Sequence, residues 1–331
     1  MQKVNREQLV AKATQLLESG IVSSVLGWNK GEFDYDVTPT LFKDTASLEK
    51  GFIYSDFCGV NLSKYLVAKT KETDGKILVF LKPCDTYSFN QLLTEHRFQR
   101  EKVYAVGVPC EGMVDINKIK SVVGEGIYSI SSENHGLAVE TLYGEKINID
   151  KGDVLLEKCS SCKSKKHVAY DELLGETGEV VDSNRFDEVA KIEAMTPDER
   201  FEFWQNQLSK CIRCNACRDA CPACTCEKCV FDNPNSGVEN KSPANEFEEK
   251  LFHIIRAYHV AGRCTDCGEC SRACPQNIPL HLLNRKLIKD MNECYGEYQA
   301  GCEVGQRNPL VDYTLDDIEP SQIFERRDDN A

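Results

Sequence analysis

CIRCNACRDACP at residues 211–222 and CTDCGECSRACP at residues 264–275 spell one pattern twice, C-x-x-C-x-x-C-x-x-x-C-P. Runs of this spacing hold 4Fe-4S clusters in pairs, with three thiolates on one cluster and the fourth, ahead of the proline, on the other. The expected ligand sets therefore cross: Cys211, Cys214 and Cys217 with Cys274, and Cys264, Cys267 and Cys270 with Cys221. A zinc site would want two C-x-x-C knuckles set well apart, and a disulfide framework would want an oxidising compartment.

The rest of the composition agrees with metal or redox chemistry inside a reducing cell. Eighteen cysteines in 331 residues exceed what packing needs, and the start, MQKVNREQLVAK, lacks the apolar core of a secretory signal. A cytoplasmic protein is expected. No apolar run reaches the length of a spanning helix, so direct membrane insertion is not expected. The net charge of −13 excludes the basic footprint that nucleic-acid binding requires.

Working outward from the motifs, the chain reads as an α/β N-terminal domain (1–185), a mainly α-helical dicluster ferredoxin domain (190–304) and an extended acidic tail (305–331). Asn5 and Gln8 start a helix that Gly20 stops, with Leu9, Ala13, Leu16 and Leu17 on one face. Ile77–Leu81 and Val103–Val108 are continuous apolar runs separated by a helical stretch, which predicts buried parallel strands. Residues 127–149 predict short antiparallel strands, turning at Gly136 and Gly144. The Glu- and Asp-rich stretch from Asp171 to Asp187 lacks apolar periodicity and reads as the domain's end. Beyond Pro197 the texture is helical. Phe201, Trp204 and Leu208 precede the first motif, and Leu251, Ile254, Ile255 and Tyr258 precede the second; both stripes are expected to face the core. Leu280–Met291 predicts a further helix.

Other cysteines form weaker groups. Cys84 and Cys110 each follow a predicted buried strand, at the edge where open α/β sheets place ligands, and Cys159 and Cys162 form a C-x-x-C. Together they are candidates for a third 4Fe-4S cluster. Cys224, Cys226 and Cys229 in CPACTCEKC supply three ligands, and Cys58 is a candidate fourth for a further cluster or a zinc ion. Lys210, Arg213, Arg218, Arg263 and Arg272 flank the motifs and can offset thiolate charge. The six histidines are scattered and read as surface or core residues rather than catalytic bases.

PCDTYSFNQLL (83–93), VYAVGVPCEGMVD (103–115), KCSSCKSKKHVAYDELLGE (158–176) and the two motif segments at 203–229 and 259–287 give the chain a recognisable likeness. It resembles the iron–sulfur beta-type subunits of hydrogenase and formate dehydrogenase complexes. These are 4Fe-4S dicluster proteins named after deazaflavin-coenzyme hydrogenase or dehydrogenase beta subunits, and are related to the sulfhydrogenase beta subunit and the anaerobic sulfite reductase A subunit. The likeness runs from about Phe57 to Lys286. It implies a non-catalytic relay of single electrons within a hydrogenase, formate dehydrogenase or heterodisulfide-reductase-like complex, and an N-terminal cluster on Cys84, Cys110, Cys159 and Cys162. Deazaflavin-linked members carry a different cysteine-rich N-terminal signature and bind FAD; neither mark occurs here, so FAD is not expected. The competing readings are a flavin-containing oxidoreductase subunit with its own activity and an iron–sulfur redox sensor.

Overall fold

The structure, a computed structural model, describes residues 4–133, 136–181, 184–233, 235 and 246–312. The expected acidic tail lies outside the described residues beyond position 312. No helix among the described residues is long and apolar enough to cross a membrane.

Helix α1 (Arg6–Glu18) opens the chain with the reciprocal Asn5–Gln8 cap and buries Leu9, Ala13 and Leu16. Strand β1 (Ser24–Lys30) and strand β2 (Val37–Phe42) follow, then α2 (Thr45–Gly51), α3 (Ser63–Glu72), β3 (Ile77–Leu81), α4 (Pro83–Thr94) and β4 (Val103–Gly107). They form a sheet in the order β2-β1-β3-β4-β8, where β8 is Glu172–Leu173. The expected parallel sheet is mixed: β1 pairs antiparallel with β2, and parallel pairing links β1, β3, β4 and β8. The β1–β2 pair can turn back on itself through a short loop, which parallel neighbours cannot. Strand β8 lies within the acidic stretch read as a domain end. Two residues carry no periodicity, and Asp171 anchors them through Ala105 N at 2.7 Å and Arg100 at 2.7 Å.

Helix α5 (Ile116–Val123) covers a second, antiparallel sheet of β5 (Ile127–Glu133), β6 (Gly136–Thr141) and β7 (Lys146–Asp150). Its core is Val114, Ile119, Ile127, Leu137, Val139, Ile149 and Val154. The short helix α6 (Glu157–Ser160) then leads towards the helical half.

That half comprises α7 (Asp187–Glu193), α8 (Pro197–Leu208), α9 (Ala216–Asp219), α10 (Glu246–His259), α11 (Glu269–Arg272) and α12 (Leu280–Tyr295). Thr196 caps α8 reciprocally with Glu199, and Pro197 takes the first helical position. The two apolar stripes do not both face the core. On α10, Phe252, His253, Arg256 and Ala257 are buried, whereas Ile254 is 45 % and Tyr258 66 % exposed; on α8, Phe201 is 61 % exposed. The inward side of α10 meets cysteines as well as Leu208, Phe231, Ile278 and Leu280, so polar His253 and Arg256 share it with Phe252.

Candidate cluster sites

The two repeated motifs fold alike. In each, the residues on either side of the middle cysteine take left-handed backbone conformations: Arg213 (φ 54°) and Asn215 (61°) in the first, Asp266 (55°) and Gly268 (65°) in the second. Such residues curl the chain tightly, so three cysteines in seven positions turn towards one point before α9 or α11 begins. Gly268 meets a second demand, since a Cβ there would collide with the Cβ of Lys158.

The tertiary fold brings the fourth cysteines across. The thiolate charges of Cys211 and Cys274 both act on Cys217, and Cys221 acts on Cys264, Cys267 and Cys270. Cys221 and Cys264 share one small core cluster with Ala223 and Val260, while Cys211, Cys217 and Cys274 share the core of Phe231 and Phe252 with Cys270. Burial pushes the thiol of Cys217 up to about 12 and raises those of Cys264, Cys267 and Cys270. A ligated thiolate must lose its proton, so this burial ties ionisation to the arrival of a positive centre.

Polar groups without partners fit such a centre. Arg256, 4 % exposed, donates to Cys217 O at 3.0 Å while its Nε has no partner. Burial disfavours its charge, but Cys270, Cys221, Cys217 and Cys224 together hold it protonated, which places it among the cysteines of both motifs. The His253 Nε2 is hydrogen-bonded to Cys211 Sγ at 3.3 Å; burial, then Arg256 and Arg213, push the imidazole down to about 3, and Nδ1 is unpartnered. Asn284 Nδ2 donates to Cys270 Sγ at 3.8 Å, with its Oδ1 unpartnered. Hydrogen bonds to cluster sulfurs and nearby cations raise reduction potential. Sequence reasoning read His253 as a plain histidine and passed over Arg256; only their position seven and four residues before the buried Val260 turn, on the inward side of α10, gave a signal.

Among the flanking cations, several are engaged by carboxylates. Arg218 pairs with Asp232 at 2.7 Å, Arg263 with Glu95 at 2.7 Å, and Arg272 with Glu269 at 2.9 Å. Arg213 stacks 4.2 Å above Phe252 and Lys210 bonds Gln207 at 2.9 Å.

In the α/β half, parallel pairing sets Leu81 beside Gly107, so the segments after β3 and β4 leave the sheet side by side. Cys84 sits in the first turn of α4 and Cys110 two residues beyond Val108. Met113 N donates to Cys159 Sγ at 3.3 Å, and Cys162 Sγ donates to Ser164 O at 3.2 Å. One residue feels all four. Burial disfavours the Lys165 ammonium, yet the charges of Cys162, Cys110, Cys159 and Cys84 outweigh it and raise its pKa.

The remaining candidates separate. Cys58 is buried in the α/β core, where Ser55 N donates to its Sγ at 3.3 Å and its neighbours include Tyr54 and Lys82. Cys224, Cys226 and Cys229 instead line a cavity with Lys64, Arg256 and Arg263. The expected fourth ligand is thus not brought to the other three. Among the described residues, no three His, Cys, Asp or Glu side chains gather tightly enough for a single metal ion. A four-iron cube spreads its thiolates further apart than one ion does.

Residues 207–278 match the family described as 4Fe-4S dicluster domain. The chain is 24 % identical over 332 residues to the F420-dependent formate dehydrogenase subunit beta of Methanocaldococcus jannaschii, spanning 83 % of this chain and 86 % of that protein. It is also 24 % identical to the F420-dependent formate dehydrogenase 1 subunit beta of Methanococcus maripaludis, over 83 % and 87 % of the two. Among solved structures, the F420-reducing NiFe hydrogenase complex of Methanosarcina barkeri overlaps 62 % of this chain and 86 % of that one, with 14 % identity and a TM-score of 0.38.

Proposed function

We propose that this chain is an iron–sulfur electron-transfer subunit of a multi-subunit anaerobic oxidoreductase in the cytoplasm, beside a catalytic partner of the hydrogenase, formate dehydrogenase or heterodisulfide-reductase-like kind. Cys211, Cys214, Cys217 and Cys274 hold one 4Fe-4S cluster, Cys264, Cys267, Cys270 and Cys221 a second, and Cys84, Cys110, Cys159 and Cys162 a third. When bound, these groups accept and release one electron each.

One observation carries the reading: buried cations connect the three cysteine groups in a row. Lys158, flanked by Cys159, feels the charges of Glu269 and Cys84, and in turn acts on Cys267. Arg256 then sits among Cys270, Cys221 and Cys217. Each cation offsets the negative charge that thiolates and clusters add to a water-poor interior, where an uncompensated charge costs most. The walls around Cys211, Cys217, Cys270 and Cys274 are closed by Phe231, Phe252, Ile278 and Leu280.

The same chain contributes no substrate chemistry in this reading; that belongs to the partner. Anaerobically purified protein should hold at least about twelve iron, show coupled reduced-cluster signals in paramagnetic resonance after dithionite, and not oxidise formate or hydrogen alone. Sustained turnover of either by the isolated chain overturns the assignment.

A second reading, a flavin-bearing oxidoreductase subunit, is kept by one cavity. It has about 950 Å³ and is walled by Phe98, Tyr170, Arg97, Lys102 and the Asp171-paired Arg100, so it offers aromatic faces and cations to a phosphate-bearing cofactor. A flavin released on denaturing purified protein would favour it.

A further inference from the structure

We propose that Cys224, Cys226 and Cys229 hold a further iron–sulfur cluster, in a cation-lined cavity at the surface of the helical half and without Cys58. The proposal rests on the electron-transfer reading only for its use of iron and sulfide.

The cavity has a volume of about 420 Å³. No helix or strand runs through residues 222–229, and the three thiols border one cavity, Cys224 also bonding Cys221 of the first motif. Cys226 is exposed, while Cys224 and Cys229 are partly buried, which puts the mouth of the site at Cys226. Lys64 Nζ donates to Cys224 O, and the charges of Cys221 and Cys224 both act on it. Arg263 Nη2 reaches Ala223 O at 2.9 Å, one residue before Cys224.

A buried cation shared with the paired motifs also borders the site. Arg256 lines the same cavity, is 4 % exposed, and leaves its buried Nε without a partner. Neither it nor Lys64 forms an ion pair with a carboxylate among the described residues. The lining also holds Glu227 and, paired with Arg218, Asp219 and Asp232; three thiols with Lys64 and Arg256 beside them fit a thiolate-bound cluster, whose charge is negative. The thiols are also gathered too loosely for one metal ion. His259 and Glu227 line the same wall and are protein donors available to the remaining iron.

The test uses the full chain, purified without oxygen, with iron, sulfide and zinc measured per chain and cysteines labelled with iodoacetamide. Cys226 should resist alkylation in iron-replete protein despite its exposure, and react after chelation. Replacing Cys224, Cys226 and Cys229 by Ser together should remove about four iron and four sulfide while the paired ferredoxin signals persist. If that variant does not fold, Cys226→Ser alone should lose or convert one cluster. Immediate alkylation of Cys226, zinc at the site, or unchanged iron and spectra in the foldable variant overturns the proposal. Absence of the ferredoxin signals from wild-type protein would instead tell against the electron-transfer reading, so the two failures are distinct.

Discussion

Lys158 and Glu269 form a buried ion pair across the junction of the two halves of the chain, with side chains 6 % and 1 % exposed. Lys158 also donates to Gly59 O at 2.7 Å, and Arg272 joins Glu269 at 2.9 Å. Each partner sits next to a cysteine, Cys159 on one side and Cys270 on the other, so the pair fixes the spacing between two candidate clusters.

Glu269→Gln should weaken this junction. Burial raises the carboxyl, but Lys158 and Arg272 lower it further, from 4.5 to about 2. Because the folded value lies below the unfolded one, its stabilisation is present above about 4.5 and is lost as pH falls towards 2. At neutral pH the variant should lose roughly 3–5 kcal/mol, the cost of leaving a buried cation unpaired. Denaturant unfolding across pH, under anaerobic conditions, reads both effects. Equal stability of variant and wild type at pH 7 would mean that the pair is solvated.

The crossing of ligands predicts which variants resemble each other. Cys274→Ser should damage the same cluster as Cys214→Ser, and Cys221→Ser the same cluster as Cys267→Ser. Mössbauer and paramagnetic resonance spectra of the four proteins sort them. Pairing of Cys221 with Cys214 instead would show that each motif closes on itself.

For the N-terminal group, changing Cys84 and Cys162 together to Ser in the full chain should remove about four iron while leaving the paired ferredoxin signals. Iron content equal to wild type would assign these cysteines to packing.

His253→Phe removes the hydrogen bond to Cys211 without emptying the site. The cluster bound by Cys211 should shift to a lower reduction potential, because N–H donors to sulfur favour the reduced, more negative state. The cluster on Cys264 should move little. A redox titration followed by paramagnetic resonance separates them, and an unchanged potential on the Cys211 side would remove His253 from this positioning role.

Much of the fold was readable because its signals are local. The Asn5–Gln8 cap, the apolar runs of β3 and β4 and the short antiparallel strands of 127–149 each declare themselves within a few residues. Strands β1 and β2 and the two-residue β8 were less legible: Gly27 and Pro39 interrupt the first pair, and β8 owes its place to Asp171. The stripes of α8 and α10 misled for a physical reason. On α10 the buried face mixes Phe252 with His253 and Arg256, which reach cysteines, so hydrophobicity alone does not mark it.

By itself, the sequence determined the chemistry, since the spacing of Cys211–Pro222 and Cys264–Pro275 limits what those thiols can bind whatever surrounds them. Tertiary structure alone decided which distant groups meet. It set Cys274 beside Cys217 and Cys58 apart from Cys224, and it gathered Cys84, Cys110, Cys159 and Cys162 about Lys165. It also placed Arg256 between the two motifs. Spacing along a chain constrains only neighbours within a turn or two; contacts between remote segments follow from how sheets and helices bury their faces against one another.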